Sequence, residues 1–241
     1  GRKDAPNILR APAMSAVVSA EDRLALPWTV RETLARVEAF RPDIVHVQTE
    51  FSIGNMGRRY AREHGLAVVA TSHTHYEMYI ANYVPLPAFL GRQIVRTATR
   101  ILHEKDDYLV VPSRHIESVL RSYGISKDCA IIPTGVDERF FQPRPAEAAD
   151  LRDILAEKYP KIKRGPLLVY VGRLGHEKNV RLLIDAFGLV LGKVPEACLL
   201  MVGDGPATRD VKRLAHERKV SHRLIMTGYV ARENLPAYYS M

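Results

Sequence analysis

Short, unbroken apolar runs separated by amphipathic stretches pattern most of the chain. "DIVHV" (Asp43 to Val47), "LAVVATSH" (Leu66 to His73), "YLVVPS" (Tyr108 to Ser113) and the run opening at Cys129 carry adjacent rather than alternating apolar residues. Such runs mark strands of a parallel sheet, buried on both faces. Between them apolar positions recur at helical spacing. Helices are therefore predicted from Trp28 to Phe40, from Thr49 or Ser52 to Gly65, from Ala88 to Glu104, and from Ser113 to Gly124. Thr49 or Ser52, and Ser113, are N-cap residue types; Gly65 and Gly124 are suited to closing helices.

From Phe141 to Pro166 the pattern breaks into a charged stretch with four prolines, which reads as a linker over 141–165. The same grammar then restarts. "PLLVYVG", "ACLLMVG" and "RLIMTGYV" are strands, "VRLLIDAFGLVL" and "ATRDVKRLAHERK" are helices, and a further helix begins within "ENLPAYYSM". Alternating strands and helices predict an α/β chain of two Rossmann-like, doubly wound parallel-sheet domains, residues 1–140 and 166–241. Ligands of such sheets bind at the carboxyl ends of the strands, and the cleft between two domains is the default site.

Composition narrows the classes. At 241 residues and 46% hydrophobic, the chain can bury two modest cores. Of the net charge of +8, residues 1–120 supply +2 (15 Lys+Arg against 13 Asp+Glu) and residues 121–241 supply +6 (20 against 14). No Lys/Arg block with interleaved aromatics accompanies it, so the surplus reads as solvated surface and not as a nucleic-acid face. Cys129 and Cys198 have no paired spacing, which excludes a disulfide framework or structural zinc and favours a reducing, cytoplasmic setting. The apolar runs fall far short of the roughly 20 residues that span a bilayer. The opening "GRKDAPNILRAPA" shows no signal-peptide pattern and reads as starting mid-domain.

Four motifs carry candidate chemistry. "VGRLGHEKN" (Val171 to Asn179) leaves a strand with Gly172, Arg173 and Lys178 together. Glycines admit a ligand to the backbone, arginine grips phosphate oxygens bidentately, lysine adds a mobile charge, and the following helix offers amide N–H groups. "VGDGP" places Gly203, Asp204 and Gly205 after the next strand; Thr208 stands where a dinucleotide fingerprint has its third glycine, which weakens a nicotinamide reading. "TSHTHYE" sets His73 and His75 just past a strand end, without a third ligand for a metal. Arg92, Arg96 and Arg100 repeat at i, i+4 and i+8, with Leu90, Ile94, Ala98, Ile101 and Leu102 on another arc and Tyr83, Leu86 and Phe89 upstream. A basic amphipathic helix of this kind suits an anionic membrane, and more often is a helix with one solvated face.

In order, "PDIVHVQTEF", "SHTHYE", "VVPSRHIESVLRSYGI", "IIPTGVDERFF", "VGRLGHEKN" and "VGDGP" resemble the retaining glycosyltransferases of GT-B fold, the group 1 or family 4 enzymes. "HTHYEMYIANY" is most similar to the lipid-directed members, which act on diacylglycerol or phosphatidylinositol. The resemblance implies transfer from a UDP- or GDP-sugar to a lipid or saccharide acceptor, with retention and without an obligatory metal or other cofactor. It implies that Arg173 and Lys178 hold the donor diphosphate, that His73 faces the transferred sugar, and that residues 1–140 form the acceptor side and 166–241 the donor side. It also implies an internal fragment, inactive alone, because the family's opening strand and glycine-rich loop and its later paired-glutamate motif have no counterpart here. Two alternatives share the architecture: a sugar-nucleotide 2-epimerase and a non-catalytic sugar-nucleotide binding module.

Overall fold

The continuous apolar runs become parallel strands. A computed structural model describes residues 7–15, 23–26, 30–77 and 87–241, and the chain divides into two compact units, 1–134 and 135–241. The first unit opens with a short antiparallel pair the sequence did not foretell, β1 (Ala13–Ser15) with β2 (Arg23–Ala25). There follow α1 (Arg31–Phe40), β3 (Ile44–Val47), α2 (Ser52–Glu63), β4 (Ala67–Thr71), α3 (Ala88–His103), β5 (Tyr108–Val111), α4 (Arg114–Ser122) and β6 (Cys129–Ile131). The helix expected from Trp28 begins at Arg31, and Trp28 itself lies outside the described residues, as do Tyr83 and Leu86.

β3 to β6 form one parallel sheet in sequence order. Right-handed crossovers that always step to the next strand in the same direction put their helices on one face. Val47, Val68, Ala70, Leu109 and Val111 accordingly pack against Ala61 of α2 and Leu120 of α4. The alternate positions behave differently from the expected two-sided burial: Ile44 is 52% exposed, and His46 hydrogen-bonds Thr71 across the strands at 2.8 Å. Ser113 caps α4 as expected, its hydroxyl accepting from the Ile116 N–H at 3.4 Å. Neither Thr49 nor Ser52 caps α2. Phe51 stands at that position, and the Thr49 hydroxyl instead accepts from the Phe51 N–H at 3.2 Å in a local turn.

Helix α3 packs through a narrow seam of Gly91, Val95, Thr99 and His103, one residue per turn. Its apolar arc stays outside, with Phe89 73%, Leu90 41%, Ile94 49% and Ile101 49% exposed.

In the second unit, α5 (Pro145–Lys158) and a short 3-10 helix (Pro160–Arg164) precede β7 (Leu167–Val171), α6 (Val180–Leu191), β8 (Cys198–Val202), α7 (Thr208–Glu217), β9 (Leu224–Gly228) and α8 (Leu235–Tyr239). The parallel order is β7-β8-β9, and both faces are covered. From β8, Leu199 and Met201 join Ile184, Phe187, Val211 and Leu214, while Leu200 and Val202 join Ile162 and Tyr238. Much of the stretch expected to link the domains is thus folded into this unit. Pro145 and Pro160 sit at helix starts, where a missing N–H costs nothing, and Leu151, Leu155 and Ile162 pack into the core. Both cysteines are free thiols.

Candidate functional site

β7 and β8 end side by side, Val171 opposite Val202, so the two glycine motifs leave the sheet as touching loops. Backbone hydrogen bonds stitch them: Gly172 N–H to Val202 O (2.9 Å), Leu174 N–H to Asp204 O (3.0 Å) and Ala207 N–H to Leu174 O (2.8 Å), while Gly203 N–H bonds Gly228 O at the end of β9 (3.0 Å). Gly203 has φ 138°, and a Cβ there would strike the Gly172 carbonyl; a Cβ on Gly205 would meet the Leu174 carbonyl oxygen at 2.6 Å. These two glycines are needed first for loop to lie against loop. Gly172, Arg173, Gly203, Asp204 and Gly205 are thereby brought together at one edge of the sheet.

Within that edge the side chains divide. The Tyr170 hydroxyl donates to the Arg173 carbonyl at 3.1 Å and fixes the backbone of the loop. The Arg173 Nε is buried and has no hydrogen-bond partner among the described residues. Lys178 is exposed and ends a one-turn 3-10 helix (His176–Lys178), with left-handed Asn179 (φ 49°) leading into α6. Asp204 is engaged by its own chain: Oδ1 accepts from the Gly205 N–H at 2.7 Å and from the Thr208 hydroxyl. The Thr208 hydroxyl first, then the Gly205 N–H, hold its carboxyl below the ordinary carboxylate value. Asp204 therefore anchors the start of α7, while Arg173 and Lys178 make no ion pair of 4 Å or less among the described residues.

In the first unit, β4 releases the loop that carries the histidines. His73 is exposed just past the strand. The His75 ring meets His115 edge-on at 5.9 Å and lies beside a cavity of about 10 Å³ lined by Ser72, Thr99 and Tyr123, room for about one water. Tyr76 is held by the loop after β3: its hydroxyl donates to Glu50 Oε2 and its ring stands edge-on to Phe51 at 5.8 Å.

Beneath that contact lies a polar row that sequence reasoning missed. Arg58, 3% exposed, is bidentate to the fully buried Asp106 at 2.7 and 3.0 Å, and His103 Nδ1 binds the same carboxylate at 2.7 Å. Burial opposes ionisation of Asp106, but the His103 and Arg58 hydrogen bonds outweigh it and lower its pKa. An ionised Asp106 assigns the Nδ1 proton to His103. His103 Nε2 then looks toward Glu50 Oε1 at 3.9 Å, and neither atom has a hydrogen-bond partner among the described residues. The available signal was the spacing of Gly91, Val95 and Thr99, which His103 continues by one turn. Among the described residues no group of three His, Cys, Asp or Glu side chains is placed to hold a metal.

The comparisons agree with this architecture. Residues 152–241 match the glycosyl transferases group 1 description, and residues 2–140 match glycosyltransferase family 4. The alpha-monoglucosyldiacylglycerol synthase of Streptococcus pneumoniae is 30% identical over 86% of the chain. The GDP-mannose-dependent alpha-(1-6)-phosphatidylinositol monomannoside mannosyltransferase of Mycobacterium tuberculosis is 30% identical over 61%. The chain spans less than half of each of these relatives, 47% and 37%. Among solved structures, Anabaena HepE in complex with UDP and glucose superposes with a TM-score of 0.63 at 14% identity, over 87% of this chain and 54% of that one. That likeness establishes the GT-B fold class, and the sequence match places the chain in glycosyltransferase family 4.

Proposed function

We propose that this chain is the core of a retaining glycosyltransferase that moves a sugar from a UDP- or GDP-sugar to a membrane lipid of the diacylglycerol or phosphatidylinositol class. The observation that carries the reading is Arg173, a guanidinium whose buried Nε has no hydrogen-bond partner among the described residues, at the fused ends of β7 and β8. A buried N–H left without an acceptor costs free energy, and a diphosphate oxygen would satisfy it. Arg173 and Lys178 would then stabilise the charge that develops on the leaving diphosphate. His73, exposed at the end of β4, is assigned to the transferred sugar. HepE binds UDP and glucose, and the named relatives act on diacylglycerol and phosphatidylinositol lipids, which supports donor and acceptor classes alike.

The test is product analysis with the protein at its full natural length, given UDP- or GDP-sugars and lipid vesicles. An α-linked glycolipid from an α-linked donor is expected. A β-linked product would overturn retention. An epimerised sugar nucleotide formed without acceptor would replace the reading by the epimerase, and donor binding without any turnover would replace it by the binding module.

The acceptor reading places the protein at the inner face of the membrane, through α3. Arg92, Arg96 and Arg100 are exposed along α3 but stand apart from the exposed Leu90, Ile94 and Ile101, Arg92 about 160–180° round the helix from all three. Two of these charges are already engaged, Arg96 by Glu77 at 2.8 Å and Arg100 by Glu104 at 3.5 Å. The apolar arc is therefore expected to do most of the anchoring. Ile94→Ser with Ile101→Ser should weaken binding to anionic vesicles at least about tenfold in sedimentation, from about 0.8 kcal/mol per inserted CH₂.

A further inference from the structure

The polar row under the histidine loop is more elaborate than packing alone requires. Burying Arg58, Asp106, His103 and most of Glu50 together costs desolvation of four ionisable groups. The row nevertheless ends on one side chain of the loop after β4. Glu50, its side chain 12% exposed, accepts from the Tyr76 hydroxyl through Oε2 while Oε1, opposite His103 Nε2, has no hydrogen-bond partner among the described residues. Tyr76 is three residues beyond His73 and adjacent to His75, and its ring is fixed by Phe51, the neighbour of Glu50. The β3 to α2 connection thus holds Tyr76 at both ring and hydroxyl, and Arg58, Asp106 and His103 form the floor on which Glu50 rests.

We infer that Glu50 is a positioning residue: through the Tyr76 hydroxyl it fixes the loop that presents His73, and so sets the turnover step without touching substrate. This rests on the glycosyltransferase reading for its kinetic consequence, but the placement of the loop can be measured separately. A displacement of order 1 Å at a reacting group costs up to about a hundredfold in rate.

Tyr76→Phe is the decisive variant, since it removes the hydroxyl and keeps the ring against Phe51. Glu50→Ala additionally uncovers His103. Glu50→Gln keeps an oxygen for Tyr76 and turns an amide N–H toward His103 Nε2, so it is the conservative rescue. In the full-length protein, Tyr76→Phe and Glu50→Ala should each lower kcat by about ten- to a hundredfold, with donor KM little changed and Glu50→Gln restoring most of the loss. The double variant should be no worse than the more impaired single, because both act on one contact. Independently of activity, the ring resonances of His73 and His75 should shift in Tyr76→Phe while that of His222 stays in place. Unmoved His73 and His75 resonances in a folded Tyr76→Phe, or additive kinetic losses, would overturn the inference. A wild-type protein that transfers no sugar would overturn the glycosyltransferase reading, and the resonances alone would then decide the positioning.

Discussion

Alanine at both Arg173 and Lys178 is expected to lower the affinity for UDP or GDP by about a hundredfold or more, on the basis of about 1.5–3 kcal/mol for each charge-assisted hydrogen bond. The two side chains contribute differently. Arg173 stands on a loop whose backbone is fixed by Tyr170 and by the Leu174 to Asp204 bond, so the root of its side chain is placed before any anion arrives. Lys178, exposed at the end of a single helical turn, supplies charge without fixed geometry. Arg173→Lys should therefore recover only part of the affinity, because a point charge does not reproduce a planar fork. Folding should not suffer: the Arg173 Nε has no partner to lose, and removing a buried unpaired N–H relieves a cost. Calorimetric titration with UDP and GDP checks the affinity, and a thermal melt checks the fold. Equal nucleotide affinity in the wild type and the double variant, both folded, would remove the diphosphate assignment.

What the sequence disclosed follows a physical division. Local rules were legible: the apolar runs that became β3 to β9, the Ser113 cap, and the glycines closing α2 and α4 are each determined by neighbouring residues. The glycine motifs were legible as strand-end loops, since Gly172 and Gly203 follow strands directly. Their reason was not, because the constraint on Gly203 is the carbonyl of a residue 31 positions earlier. The charged stretch after Phe141 concealed a folded segment, because prolines look alike in sequence whether they break a chain or start a helix. In α3 the apolar arc drew attention away from the seam that packs, since Gly91 and Thr99 are poor hydrophobic signals. The polar row was hidden for the same reason. Arg58 and Asp106 are separated by 48 residues, and each alone reads as a solvated charge.

That hidden pair should make the first unit sensitive to the loss of either partner alone. Arg58→Ala is expected to destabilise it by about 3–5 kcal/mol, the cost of leaving a buried charge uncompensated. The usual escape, replacing both partners by apolar residues of similar size, is closed here. His103 Nδ1 also bonds Asp106, so Arg58→Met with Asp106→Leu would leave that ring nitrogen buried without a partner in either tautomer and remain destabilised by about 1–3 kcal/mol. The pH dependence follows from the lowered pKa of Asp106. A carboxyl held below its unfolded value of about 3.9 contributes fully above that value and loses its contribution as pH falls through the folded one. The wild-type advantage over Arg58→Ala should thus be complete at pH 7 and shrink once the pH drops below about 4. Urea titrations at both pH values, read on resonances of the first unit so that the second does not enter the transition, measure the gap. A gap that stays constant into acid would show that the pair contributes packing and not charge, and would detach the row from the electrostatic role assigned to it.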